Sequence, residues 1–187
     1  GIMWAARQAF SVNPGYFIND AIEDAGFNDS HVIFYLIPSY QEPISLLCQN
    51  LLSAILQYRP QKRIVLLVDN PSDKCQAELD LVAGFKERID SIQAELVRVR
   101  ELPSAENNQA LLHAVRLFLD DAKARIEINL KPDSADFILN ILKLYQDAML
   151  STDMLDLALI DRVFGSCTIS LFNRKSFSHL LQEKSKA

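Results

Sequence analysis

A chain of 187 residues, 49% apolar and 23% charged, has material for one core-forming domain and the composition of an ordinary globular protein. Its net charge of -5 and the lack of any Lys/Arg run argue against a phosphate-neutralising surface, so no nucleic-acid partner is expected. Three widely spaced cysteines, Cys48, Cys75 and Cys167, lie outside any CxxC or Cys/His pattern; this argues against structural zinc and suits a reducing, cytoplasmic compartment.

Residues 1–30 form a lead-in. They start without Met and lack the apolar core of a signal peptide, and with the abrupt EKSKA end they suggest a piece of a longer protein. Nowhere does an apolar run approach the ~20 residues that span a bilayer. Residues 31–37 (HVIFYLI) read as a strand stopped by Pro38, and residues 63–68 (RIVLLV) as a second, stopped by Asp69-Asn70-Pro71. Continuous rather than alternating apolarity predicts strands covered on both faces, as in a helix-flanked parallel sheet. Between them a helix over 43–58 starts at Pro43, a favoured first-turn residue. Its apolar stripe is Ile44, Leu47, Cys48, Leu51, Leu52, Ile55 and Tyr58.

Residues 31–73 therefore predict a βαβ unit with parallel strands. Residues 74–169 predict a helical insertion. Leu79, Val82, Phe85, Ile89, Ile92, Leu96 and Val99 mark one long amphipathic helix, which Pro103 ends. Leu111, Leu112, Val115, Phe118, Leu119, Ala122 and Ile126 mark the next. Pro132 opens a third, with Phe137, Ile138, Ile141, Leu142, Tyr145 and Met149, and Ser151-Thr152-Asp153 signals a further start. Residues 168–172 (TISLF) fit either strand or helix, and 170–187 form a return segment.

In an open parallel α/β sheet, ligands bind outside the carboxyl ends of the strands. There the first strand delivers Pro38, Ser39, Tyr40, Gln41 and Glu42, and the second delivers Asp69, Asn70, Pro71, Ser72 and Asp73. A carboxylate in that crevice can accept hydrogen bonds from a nucleobase imide N–H or from ribose hydroxyls, and a tyrosine can border the base. The plainer alternatives stay open. Asp69 could cap a following helix or shape a turn, and Tyr40 and Glu42 could simply end a strand and favour the next helix.

The segment 37–43, Ile-Pro-Ser-Tyr-Gln-Glu-Pro, resembles the P-x-Y-N-E segment of family 2 glycosyltransferases. Segment 68–73, Val-Asp-Asn-Pro-Ser-Asp, is similar to their V-D-D-G-S or V-D-N-x-S segment, at the expected distance. Residues 170–187 loosely resemble the S-F-x-R-K to K-A-x-N-L-N return of a bacterial branch with a helical insertion. The resemblance implies a partial GT-A, Rossmann-like unit. Pro38, Tyr40, Glu42, Asp69 and Asn70 would border the donor nucleotide, with Asp69 on the base, usually uracil.

It also implies inverting transfer of a sugar from a nucleotide-sugar, a uridine diphosphate sugar by the family's habit, to a saccharide or lipid acceptor hydroxyl. Mg²⁺ or Mn²⁺ would assist through an Asp-x-Asp motif. This chain contains no Asp-x-Asp, so catalytic and metal roles are assigned to none of its residues, and the fragment alone is expected to be inactive. Many relatives carry membrane helices elsewhere, which implies a parent protein at the cytoplasmic face of a membrane. The alternative expectation is a noncatalytic α/β-helical interaction module with a degenerate nucleotide site.

Overall fold

The computed structural model describes residues 32–59, 61–69, 75–150 and 155–173. In chain order these form β1 (Ile33–Ser39), α1 (Ile44–Ile55), β2 (Lys62–Val68), α2 (Gln76–Glu101), α3 (Ala105–Asn129), α4 (Pro132–Met149), α5 (Leu157–Phe164) and β3 (Cys167–Asn173). The sheet order is β1-β2-β3, with both neighbouring pairs parallel. Its rows run in step, from Ile33, Lys62 and Cys167 at the amino end to Ser39, Val68 and Asn173 at the carboxyl end.

The predicted βαβ unit and the run of helices after it are both present, and 168–172 resolve as strand. Pro38 does not stop β1, which continues to Ser39 opposite Val68. Among the described residues β1 is an edge strand, and a proline there forfeits no ladder bond when its nitrogen faces outward.

The expectation of a sheet covered on both faces is overturned for the described residues. Ile37, Ile64, Leu66, Val68, Cys167 and Ile169 are buried in one continuous core with the helices. The alternate residues Phe34, Leu36, Leu67 and Phe172 are exposed, Phe34 by 64%. Every described helix that packs on the sheet contributes to the same core, so side chains alternate between core and water as in any half-covered strand.

Helix α1 buries Leu47, Cys48, Leu51, Leu52 and Ile55. Burial pushes the Cys48 thiol up to about 11, which keeps it protonated and inert. Pro43 is its N-cap rather than its first residue, and the helix ends at Ile55, short of Tyr58. Its last carbonyls explain the early stop. Lys62 Nζ donates to Ile55 O and, at 2.6 Å, to Gln57 O, while Tyr145 Oη from α4 donates to Leu56 O. Three carbonyls that continued helix would have paired are therefore held by side chains.

The insertion is built on a ring-to-ring seam. Phe118 of α3 meets Phe85 of α2 with centroids 6.2 Å apart, and Phe164 of α5 edge-on at 4.9 Å. Leu79 was expected on the buried stripe of α2 but faces solvent; Leu81 is buried instead. Gly84 lets Arg125 approach: a Cβ there would lie 2.2 Å from Arg125 Nη2, whose guanidinium sits 5.3 Å from the Phe85 ring centre. Ser104 caps α3 by accepting from Asn107 N. Asp156 caps α5 by accepting from Leu159 N at 2.9 Å, while the start signal expected at 151–153 lies outside the described residues.

Gln93 of α2 fixes where the chain re-enters the sheet. Its Nε2 donates to Phe164 O at 2.7 Å and to Cys167 O at 2.8 Å, spanning the turn between α5 and β3. Gln93→Ala strands two carbonyls of a tight, part-buried turn and should cost about 1–3 kcal/mol by urea denaturation. A loss below about 0.5 kcal/mol, typical of plain surface sites, would show that the turn is held by other contacts.

Candidate functional site at the carboxyl edge of the sheet

The parallel register brings the ends of all three strands to one edge. Asp69 N donates to Ser39 O at 2.9 Å, extending the β1–β2 ladder one step past Val68. Asp69 and the loop from Tyr40 to Glu42 consequently leave the sheet side by side. Tyr40, Gln41, Glu42 and Asp69 are all exposed there. Pro38 lies within β1, in the row of Leu67 and Phe172, with its ring on the solvent-facing side. Asn70 lies outside the described residues.

The loop between β1 and α1 has an unusual backbone. Gln41 has φ 54°, the one described non-glycine residue in the left-handed region, a conformation a β-carbon disfavours by roughly 1–2 kcal/mol. Strain of this kind persists only where the surroundings impose it, and it often marks a ligand-facing loop. The chain turns sharply there and starts α1 with no side-chain cap and no acidic residue in the first turn. Leu46 N and Leu47 N bond back to Pro43 O.

The alternative role of Asp69 as a cap for the next long helix does not hold. Helix α2 begins at Gln76 with Cys75 as its N-cap.

One residue at this edge escaped the sequence reading. Asn173 ends β3 beside Val68, and its Nδ2 donates to Cys75 Sγ at 3.7 Å. The strand state of β3 was ambiguous in the sequence, so nothing placed Asn173 next to Asp69. Ser39, which the sequence places at this edge, is 2% exposed on the core side, its Oγ without a hydrogen-bond partner. A buried hydroxyl at a strand end is a poor nucleophile, and no described base stands against it.

Chemically, the edge offers the exposed carboxylate of Asp69 and, on the neighbouring loop, the exposed ring of Tyr40 and a second carboxylate, Glu42. That set can accept hydrogen bonds from a heterocycle or a diol and lay a ring against it. Among the described residues no group of three or more His, Cys, Asp or Glu side chains is placed to hold a metal ion. None of the described residues is therefore assigned to the Mg²⁺ or Mn²⁺ that the resemblance implies. Among the same residues, no helix is long and apolar enough to cross a membrane.

Among the described residues these features define a mixed α/β chain with a three-stranded parallel sheet and a large helical section between its second and third strands. The chain matches no family model, no curated protein and no solved structure.

Proposed function

We propose that the carboxyl edge of this sheet binds the nucleotide of a nucleotide-sugar, as the donor-binding portion of an inverting glycosyltransferase. The observation that carries the reading is the Asp69 N to Ser39 O bond, which sets Asp69 beside the 40–42 loop. The two motif-bearing segments are therefore neighbours in space as well as in order.

In this reading Asp69 accepts the imide N–H of a uracil-type base, and Tyr40 borders its face. Glu42 takes a ribose hydroxyl. Transfer itself, with an acceptor hydroxyl attacking the anomeric carbon as a base takes its proton, is assigned to none of the described side chains.

Base discrimination tests the role of Asp69. Uridine presents an imide N–H to a carboxylate where cytidine presents a bare ring nitrogen. Uridine monophosphate should bind more tightly than cytidine monophosphate, by a factor of about ten for one charge-assisted hydrogen bond. Asp69→Ala should erase that preference. Equal binding of the two nucleotides by the native chain would overturn the assignment.

A further inference from the structure

Helix α1 begins with backbone donors that the described chain does not use. Pro43, its N-cap, supplies no side-chain cap, and the first turn holds no acidic residue. Leu46 N and Leu47 N bond back to Pro43 O. That leaves Ile44 N and Ser45 N, at the first two helical positions, with no partner among the described residues. Aligned peptide dipoles give such an end a partial positive charge, which favours an anion.

A second observation points to the same place. Ser39 ends β1, and only residues 40–43 separate it from α1. Helix α1 carries the chain from the carboxyl end of β1 back to the amino end of β2, so its N-terminus sits at the carboxyl edge. Ser39 and the buried side of α1 share the core face of the sheet. Ser39 Oγ is therefore turned toward the first turn of α1. The residue is 2% exposed and its hydroxyl has no hydrogen-bond partner. A buried hydroxyl is costly to leave unpaired. Closed to bulk water, it can donate only to an atom lodged in the turn itself.

We propose that the first turn of α1, with Ser39 beneath it, is a phosphate seat, where Ile44 N, Ser45 N and Ser39 Oγ donate to one phosphate group. This seat rests on the nucleotide reading above and extends it by placing the diphosphate. The ligand then follows the chain, with its base at Asp69 and Tyr40, its ribose at Glu42 and its phosphate at Ile44 and Ser45. Backbone N–H groups hold a phosphate without a cation. The carboxylates of Glu42 and Asp69 at the same edge repel an anion, so inorganic pyrophosphate alone binds weakly.

The test compares uridine, uridine diphosphate and inorganic pyrophosphate on the whole chain, followed through backbone amide resonances. Pyrophosphate should shift Ile44 and Ser45. Uridine diphosphate should bind more tightly than uridine by about tenfold, the worth of one charge-assisted hydrogen bond. Ile44→Pro removes one N–H where proline is favoured, after a residue whose ψ of 137° suits it. It should abolish most of that gain, whereas Ile44→Ala, which keeps the N–H, should preserve it. Ser39→Ala should weaken uridine diphosphate and leave uridine unchanged.

Failure of the seat and failure of the base site are distinguishable. Uridine shifts at Asp69 with no gain from the phosphates overturn the seat and leave the base site standing. A gain that survives both Ile44→Pro and Ser39→Ala overturns the seat as well. Pyrophosphate shifts at Ser45 that are lost in Ile44→Pro, with no response of Asp69 to uridine, uphold the seat and overturn the base assignment.

Discussion

Replacing Phe118 with alanine should destabilise the chain by about 3–5 kcal/mol, the usual range for a buried phenylalanine. Phe118 is fully buried and belongs to no single helix pair. Its ring touches Phe85 on α2 and Phe164 on α5, and α5 leads directly into β3. Truncation leaves a cavity where three helices meet, and both aromatic contacts go with it, each worth ~0.5–1.5 kcal/mol beyond buried area. Against a typical domain stability of roughly 5–15 kcal/mol, that is a large fraction. Urea denaturation measures the loss. A change under about 0.5 kcal/mol, the usual level at surface positions, would show that the insertion does not pack through this ring.

Lys62 provides a prediction with a pH signature. It is 1% exposed, and its ammonium is spent on the carbonyls of Ile55 and Gln57 at the end of α1. Burial pushes its pKa down to about 8, with the neighbouring Cys167 acting in the opposite direction. Lys62→Met keeps much of the apolar stem but strands two carbonyls, at a cost of about 1–3 kcal/mol at pH 7.

The sign of the pH dependence follows from proton counting. Below pH 8 the lysine is charged in both folded and unfolded chains. Between pH 8 and about 10.4, where a free lysine titrates, the unfolded chain holds a proton that the folded chain has released. Stability therefore rises with pH across that window. The neutral amine still has two N–H donors for its two carbonyls, so the caps survive deprotonation.

Cys48, pushed up to about 11, and Tyr145, pushed up to about 12, work in the opposite direction at higher pH because burial keeps them protonated when folded. Both are present in wild type and variant and cancel in the difference. The stability gap between wild type and Lys62→Met should thus widen from pH 8 upward, by as much as about 3 kcal/mol. A gap that stays flat or narrows from pH 7.5 to 10 would contradict the buried placement of this amine.

The sequence made the inner layer of the fold legible. Residues 64–68 are apolar enough to be a strand and little else, and the stripe from Leu47 to Ile55 could only face inward. The long insertion was equally plain, because Phe85, Ile89, Ile92 and Leu96 repeat at helical spacing over many turns and Pro103 interrupts them.

Other features were illegible for physical reasons. Residues 168–172 alternate polar and apolar over too short a span to separate strand from helix. Pro38 reads as a stop unless the strand is known to be an edge. Continuous apolarity in 33–37 cannot tell a doubly covered strand from one whose outer face awaits a cover. A lysine and a glutamine in a pattern read as solvent-facing, so Lys62 and Gln93 gave no hint that they anchor α1 and β3. At the candidate site, Asp69, Tyr40 and Glu42 were found because they follow apolar runs directly. Asn173 was not, since its place depends on a strand pairing that only the fold supplies.

The central claim is tested most directly by titrating uridine diphosphate into the whole chain and following backbone amide resonances. Binding should be weak, on the order of millimolar, or about 4 kcal/mol. Shifts should cluster at Tyr40, Gln41, Glu42 and Asp69, with Asn173 as a third-strand neighbour. Mg²⁺ should leave the affinity nearly unchanged, since the described residues offer no donor set for it. In Asp69→Ala the shifts should vanish while those from the buried core stay in place. Tight, metal-dependent binding, or shifts centred away from this edge, would contradict the account; no shifts at all would favour a noncatalytic interaction module.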